Sequence, residues 1–400
     1  MKKKIFVVTY GGGHANIIAK LYPKLIERFE VVILALTTAE EVLNNANIPY
    51  KTLEDYIYDI DQGDNLVEIG KKFINQKKID YVRLGLKKSS IYYGCCLRDY
   101  VTEFGKADLD ELYIKQGRMI FLPIKTVEII LKLEKPDAVV TTNSPRFERA
   151  AIFASRKLGI LNFSIEDLLG NSRNFSIKDP ETSYYGDYVF VINNFVKNIL
   201  TLKNIRAIEV VPIGQPAFEY INELNINTDK VKKDLKIPDG KLVVCWASHE
   251  SKDEKYIFEE LVNIFMNQKD KLLIVKPHPN ENIDFMTKVF SNYNTESIII
   301  VDNFDFKTVL SISDVVLTQY STCGLEAIMS GKPLIVLNPA KRIFAESYNN
   351  LKLASEVTDM KKLIENIGMT LNSERVKFEV PSNSSENIAI FIENILKLKK

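Results

Sequence analysis

The segment Lys271-Leu272-Leu273-Ile274-Val275-Lys276-Pro277-His278-Pro279 joins an unbroken apolar run to an abrupt turn. Continuous runs of this kind suit parallel strands buried on both faces. The prolines on either side of His278 restrict the backbone and present the ring rigidly where the strand ends. Open α/β sheets bind ligands at that carboxyl end. Lys276 and His278 together suit a phosphate oxygen there; the competing reading is a turn closed by a capping histidine.

The same half of the chain repeats the pattern. Predicted strands cover 242–247, 271–275, 297–301, 315–318 and 333–337, with predicted helices over 252–266, 284–290, 306–313 and 322–330. The fourth strand runs into Gln319-Tyr320-Ser321-Thr322-Cys323-Gly324 and then a helix carrying Glu326. Ser321, Thr322 and Gly324 at a helix start offer an anion hydroxyls and closely approachable N–H groups. Ser-Thr before a helix is also an ordinary N-cap. Glu326, one turn in, is placed to accept hydrogen bonds from ribose hydroxyls. The first strand of this half leaves into Trp246-Ala247-Ser248-His249-Glu250-Ser251. There Ser248 and His249 either touch the phosphates or the sugar, or simply form a turn.

In the first half, strands are predicted over 4–10, 30–37, 137–142, 160–165, 188–192 and 208–213, and helices over 14–28, 118–133 and 147–158. Strand–helix alternation twice over implies two doubly wound α/β domains. The boundary falls after Gly214-Gln215-Pro216, giving domains 1–216 and 217–380. A helix within 381–400 packs back toward the first, opened by Asn383 with Glu386 three residues on in the manner of a capping box. Residues 71–112 carry lysine pairs and Tyr92-Tyr93 but show no clean period.

The first strand enters Gly11-Gly12-Gly13-His14. Gly12 and Gly13 let backbone N–H groups approach a ligand. Position 16 is Asn where a dinucleotide fingerprint wants glycine, and no acidic residue closes the second strand, so NAD binding is not expected. The loop either faces an acceptor or a sugar or is a plain βα turn. His14 is suited to take a proton from an acceptor hydroxyl at neutral pH. Arg146, just past the third strand, suits a bidentate grip on an acidic acceptor or donor carboxylate, or a surface pair with Glu148.

Composition bounds the rest. Lys plus Arg (53) and Asp plus Glu (52) nearly cancel, so no global field points to nucleic acid. The four cysteines form no CxxC pair, which suggests neither a zinc site nor a disulfide framework and suits a reducing, cytoplasmic setting. No run of about 18 apolar residues is present to span a membrane. The lysine pairs of 71–88 and the tail lysines Lys397, Lys399 and Lys400 suit peripheral association with the inner face of the cell membrane. No DxD-like pair stands at a strand end, so no metal or other obligatory cofactor is expected.

Lys276-Pro277-His278-Pro279, Val301-Asp302-Asn303, Ser313-Asp314, Tyr320-Ser321-Thr322-Cys323-Gly324-Leu325-Glu326-Ala327 and Gly331-Lys332-Pro333 together resemble the donor-binding domain of GT-B glycosyltransferases. The likeness is closest to His-Pro-motif bacterial enzymes: sialyltransferase-like, capsule Kdo transferase-like and CDP-glycerol polymerase-like. It implies an α/β GT-B fold, two Rossmann-like doubly wound domains facing across a cleft. It further implies a CMP-, CDP- or UDP-linked donor, its phosphate held by His278, Ser321 and Thr322, its ribose by Glu326, and its base near Asn303. Glu166-Asp167-Leu168-Leu169-Gly170 resembles the acidic-acidic-glycine motif that holds the catalytic base, with the glycine displaced by two positions. Asp167 and Glu166 thereby join His14 as candidates.

The expected function is glycosyl transfer from a nucleotide-sugar to a carbohydrate or lipid-linked acceptor in surface polysaccharide or glycoconjugate synthesis. The alternatives are a nucleotide-sugar 2-epimerase or hydrolase, and a non-catalytic nucleotide-sugar-binding subunit. The epimerase loop Gly-Thr-Arg-Pro-Glu is not what this chain carries at 11–14.

Overall fold

The computed structural model describes residues 2–170, 185–203, 205–223, 226–249, 254–278, 281, 283–290, 296–343, 348–374 and 376–398; Glu250, Ser251 and Pro279 lie outside them. The chain divides into two compact units. One draws on Met1–Gly170, Asn174–Glu219 and Pro381–Lys400, the other on Tyr220–Val380.

In the first unit the strands are β1 (Lys4–Thr9), β2 (Glu30–Ala35), β3 (Ala138–Thr142), β4 (Leu161–Ile165), β5 (Tyr188–Val191) and β6 (Glu209–Pro212). Among the described residues they form one parallel sheet in the order β2-β1-β3-β4-β5-β6. Side chains alternate across it, Phe6 and Val8 entering one core and Ile5 and Val7 the other, as the period of two requires. From β1 the chain moves out to β2 and then returns to β3 on β1's other side. That reversal is the topological switch point, where ligands of such sheets bind.

Residues 71–112 prove helical. Leu66–Lys77, Leu86–Phe104 and Leu109–Gln116 are helices, and the second is buried at every position from Ser89 to Tyr100. A helix buried all round has no polar face, so its sequence carries no amphipathic period. It meets Leu66–Lys77 backbone to backbone: a Cβ on Gly94 would stand 2.0 Å from the Leu66 carbonyl oxygen, and one on Gly70 1.9 Å from that of Ser90. The helix expected over 118–133 starts only at Ile124, after Pro123, with Gly117–Ile120 in a 3-10 turn. Glu386, expected to close a capping box, instead pairs with Arg28 at 2.5 Å and Lys24 at 3.1 Å. Its helix, Ser384–Leu398, adds Ile388, Ala389 and Ile392 to the core beside Gly13–Arg28.

The second unit repeats the scheme. Its strands are β7 (Leu242–Ala247), β8 (Lys271–Lys276), β9 (Ile298–Ile300), β10 (Val315–Thr318), β11 (Leu334–Leu337) and β12 (Ser355–Val357). They are parallel, in the order β12-β11-β10-β7-β8-β9 among the described residues. β12, unforeseen from sequence, is a three-residue edge strand whose Ser-Glu-Val lacks an apolar run. The switch point lies between β7 and β10.

Candidate functional site

In the second unit the loops that follow β10, β7 and β8 stand side by side, because those strands are neighbours. His249 meets Tyr320 edge to face at 4.3 Å, and its ring lies 6.1 Å from that of His278. Glu281 joins the loops that follow β7 and β8. The His278 backbone N–H donates to one carboxylate oxygen at 2.7 Å and the Ser248 hydroxyl to the other at 3.0 Å. Ser248 is thus buried, its hydroxyl held by Glu281. The Lys276 ammonium donates to the Asp302 carbonyl at 3.2 Å, tying β8 to the loop that exposes Asn303.

Ser321 takes the capping role: its hydroxyl oxygen accepts the Cys323 N–H at 3.3 Å, while its carbonyl accepts the Tyr348 hydroxyl at 2.8 Å. Gly324 is required there, since a Cβ would stand 2.7 Å from the Tyr348 ring. Thr322 is exposed and its side chain caps nothing. Burial, reinforced by the Glu326 charge, pushes the Cys323 thiol up to about 12, so it is no nucleophile at neutral pH. Burial also raises the Glu326 carboxyl, and a hydrogen bond from the Tyr220 hydroxyl and the nearby Lys307 charge oppose the shift. The Lys307 ammonium sits 3.7 Å from the Tyr220 ring centre. Tyr220 therefore occupies the carboxylate expected to hold a ribose. Neither Tyr220, 106 residues from Glu326, nor Glu281 was legible as a site residue.

In the first unit the β1–β3 switch point brings two base candidates together. Gly11 is sterically obligatory, since a Cβ would lie 1.8 Å from the Thr38 hydroxyl oxygen; Gly12 sits at φ 69°. Gly12 and Gly13 are exposed. His14 Nδ1 lies 2.7 Å from Thr142 Oγ1, and His14 Nε2 lies 3.9 Å from Asp167 Oδ2. Asp167 is itself located by its carbonyl, which accepts the Gln215 side-chain amide at 3.0 Å. Glu166 points the other way. Fully buried, it accepts Asn143 Nδ2 at 2.8 Å, the Tyr185 hydroxyl at 2.5 Å and the Leu168 N–H at 3.1 Å. These bonds hold the loop after β4 to the loop after β3 and to Tyr185.

Arg146 adopts φ 74° at the start of helix Phe147–Lys157 and lays its guanidinium 4.2 Å from the Tyr10 ring centre. It does not pair with Glu148, which is buried and accepts the Tyr10 and Ser144 N–H groups and the Thr142 hydroxyl. Of the lysine-rich stretch, Lys77, Lys87 and Lys88 are paired with Asp110, Glu54 and Glu40. Among the described residues no helix is long and apolar enough to cross a membrane, and no three His, Cys, Asp or Glu cluster as a metal site.

The family described as CDP-Glycerol:Poly(glycerophosphate) glycerophosphotransferase matches residues 163–374, just over half the chain. The teichoic acid glycerol-phosphate primase of Bacillus subtilis (strain 168) is 25% identical over 256 residues, 58% of this chain and 65% of that protein. An uncharacterized glycosyltransferase of Methanocaldococcus jannaschii is 26% identical over 200 residues, 45% of this chain and 50% of that one. The chain thus spans less than two thirds of the length of either relative. UDP-GlcNAc 2-epimerase from Neisseria meningitidis bound to UDP-GlcNAc shares the fold, with TM-score 0.59 at 16% identity over 98% of this chain and 100% of its own. The chain has the GT-B fold and belongs to the CDP-glycerol:poly(glycerophosphate) glycerophosphotransferase family.

Proposed function

We propose that this enzyme moves a phosphoglycerol unit from a CDP-linked donor to a hydroxyl of a surface-polymer precursor. The observation that carries the reading is the grouping of His249, His278 and Tyr320 at the second unit's switch point, inside the segment the family model matches. Two imidazoles over a rigid turn suit the two phosphates of a nucleoside diphosphate ester. Thr322 adds an exposed hydroxyl, and Glu326 takes the ribose once Tyr220 releases it. Within the first unit, His14 is the candidate for the base. The acceptor O–H bond breaks, its proton passes to a general base, and its electron pair forms the new bond to the donor's β-phosphorus. The bond from that phosphorus to CMP breaks, and CMP leaves with the pair while His278 steadies its growing charge. Asp167, 3.9 Å from His14 Nε2, stabilises the imidazolium.

Transfer at phosphorus rather than at a sugar carbon departs from the expectation of glycosyl transfer; the family description and the primase relative favour it. A thermal-shift panel of CDP-glycerol, CDP, CMP, UDP and UDP-GlcNAc tests the donor. A ligand at about a hundred times its dissociation constant adds roughly 2.7 kcal/mol to the folded state. CDP-glycerol should shift the transition most and release CMP with a hydroxyl acceptor. A larger shift and turnover with a UDP-sugar would restore the glycosyl-transfer reading.

A further inference from the structure

We propose that Glu148 and Thr142 are positioning residues that fix the tautomer of His14 and aim its Nε2 at the acceptor hydroxyl. The inference rests on the reading of His14 as the base, and deepens it. Glu148 is fully buried in the first turn of helix Phe147–Lys157. Its Oε1 accepts the Tyr10 N–H at 2.8 Å, and its Oε2 accepts the Ser144 N–H at 3.0 Å and the Thr142 hydroxyl at 2.5 Å. Tyr10 follows β1, and Thr142 ends β3, so the carboxylate clamps both lips of the switch point.

The proton directions follow from the donor inventory. A carboxylate only accepts, and backbone N–H groups only donate. The single Thr142 hydrogen therefore goes to Glu148, and its oxygen can only accept from His14, 2.7 Å away. His14 must carry its hydrogen on Nδ1, which leaves the lone pair on Nε2, the nitrogen 3.9 Å from Asp167. The hydrogen bond that one ring nitrogen makes in this way sets which imidazole nitrogen reacts. The buried carboxylate also steadies, through the Thr142 hydroxyl, the positive ring formed when Nε2 takes a proton. A serine or cysteine at 142 could relay in the same way, whereas a valine of the same shape could not.

The decisive experiment is nitrogen-15 NMR of the full chain together with kinetics of Thr142→Val, Thr142→Ser and His14→Ala. The chain has only three histidines, and His14→Ala assigns the resonance. The wild type should show the Nδ1–H tautomer at His14. Thr142→Val keeps both backbone donors on Glu148 and should fold. It should lose that tautomer preference and about tenfold to a hundredfold in kcat, with KM for the donor unchanged, while Thr142→Ser restores both. An Nε2–H tautomer in the wild type, or an unaltered tautomer in Thr142→Val, would overturn the relay. Normal turnover in His14→Ala would instead overturn the reading of His14 as base, and the tautomer measurement would still decide the relay.

Discussion

His278 gives its backbone N–H to Glu281, a bond that any residue at this position keeps. Replacing it with alanine should leave the fold intact and weaken CDP binding by about 1.5–3 kcal/mol, as for hydrogen bonds to charged groups. Calorimetric titration measures this; unchanged affinity would make the histidine purely architectural. Tyr220 behaves in the opposite sense. Its hydroxyl donates to the largely buried Glu326 carboxylate, which a ribose would have to share. Tyr220→Phe removes the competitor and leaves Glu326 short of a donor that the nucleotide can supply. The variant should melt lower without ligand and gain more from CDP than the wild type does. Tenfold weaker binding would show that Tyr220 itself contacts the nucleotide.

Elements were legible in the sequence where burial imposed a pattern. The runs that became β1, β7, β8 and β10 are continuous and bounded by glycine, proline or hydroxyl residues, and each ended within a residue of its expected place. The Leu86–Phe104 helix was illegible for the same physical reason that makes it important, since it is buried on every side. The site divides likewise. His14, His278 and the Ser321–Glu326 turn announce themselves by backbone chemistry at strand ends. Tyr220, Glu281, Thr142 and Glu148 act through partners distant in sequence or through acceptors no motif names. The helix pair offers its own test. A methyl on Gly94 would sit 2.0 Å from the Leu66 carbonyl oxygen, so Gly94→Ala must prise Leu86–Phe104 from Leu66–Lys77. Overpacking of this kind costs about 1–3 kcal/mol. Chemical denaturation should show that loss while CDP affinity, which the proposed function seats in the second unit, stays unchanged. A neutral Gly94→Ala would mean the pair is looser than its geometry.

At the scale of the molecule, both units gather their candidate site residues at the carboxyl ends of their sheets, and the first unit anchors its amino end with charge. Glu134 accepts hydrogen bonds from Lys4, at the start of β1, from Lys51 and from Tyr56, each at 2.7 Å. Burial, the largest single influence, pushes its carboxyl up. The bonds from Lys4, Lys51 and Tyr56 overcome that and hold it at about 2, below the ordinary 4.5. Between those values the unfolded chain binds the proton and the folded chain does not. Stability from this group is therefore full above about pH 4.5 and lost progressively as pH falls toward about 2. Glu134→Gln never has it. The side chain is only 8% exposed, so added salt should screen the network weakly. The single tryptophan, Trp246, lies in the second unit's core and reports on that unit alone. Scanning calorimetry is therefore the right measurement. The gap in melting temperature between wild type and Glu134→Gln should be widest near neutrality and shrink steadily on acidification through the acid range. A gap that stayed constant down to pH values near the folded carboxyl's own would mean that Lys4 and Lys51 do not hold Glu134 ionised, and that the amino end of the sheet is secured by packing alone.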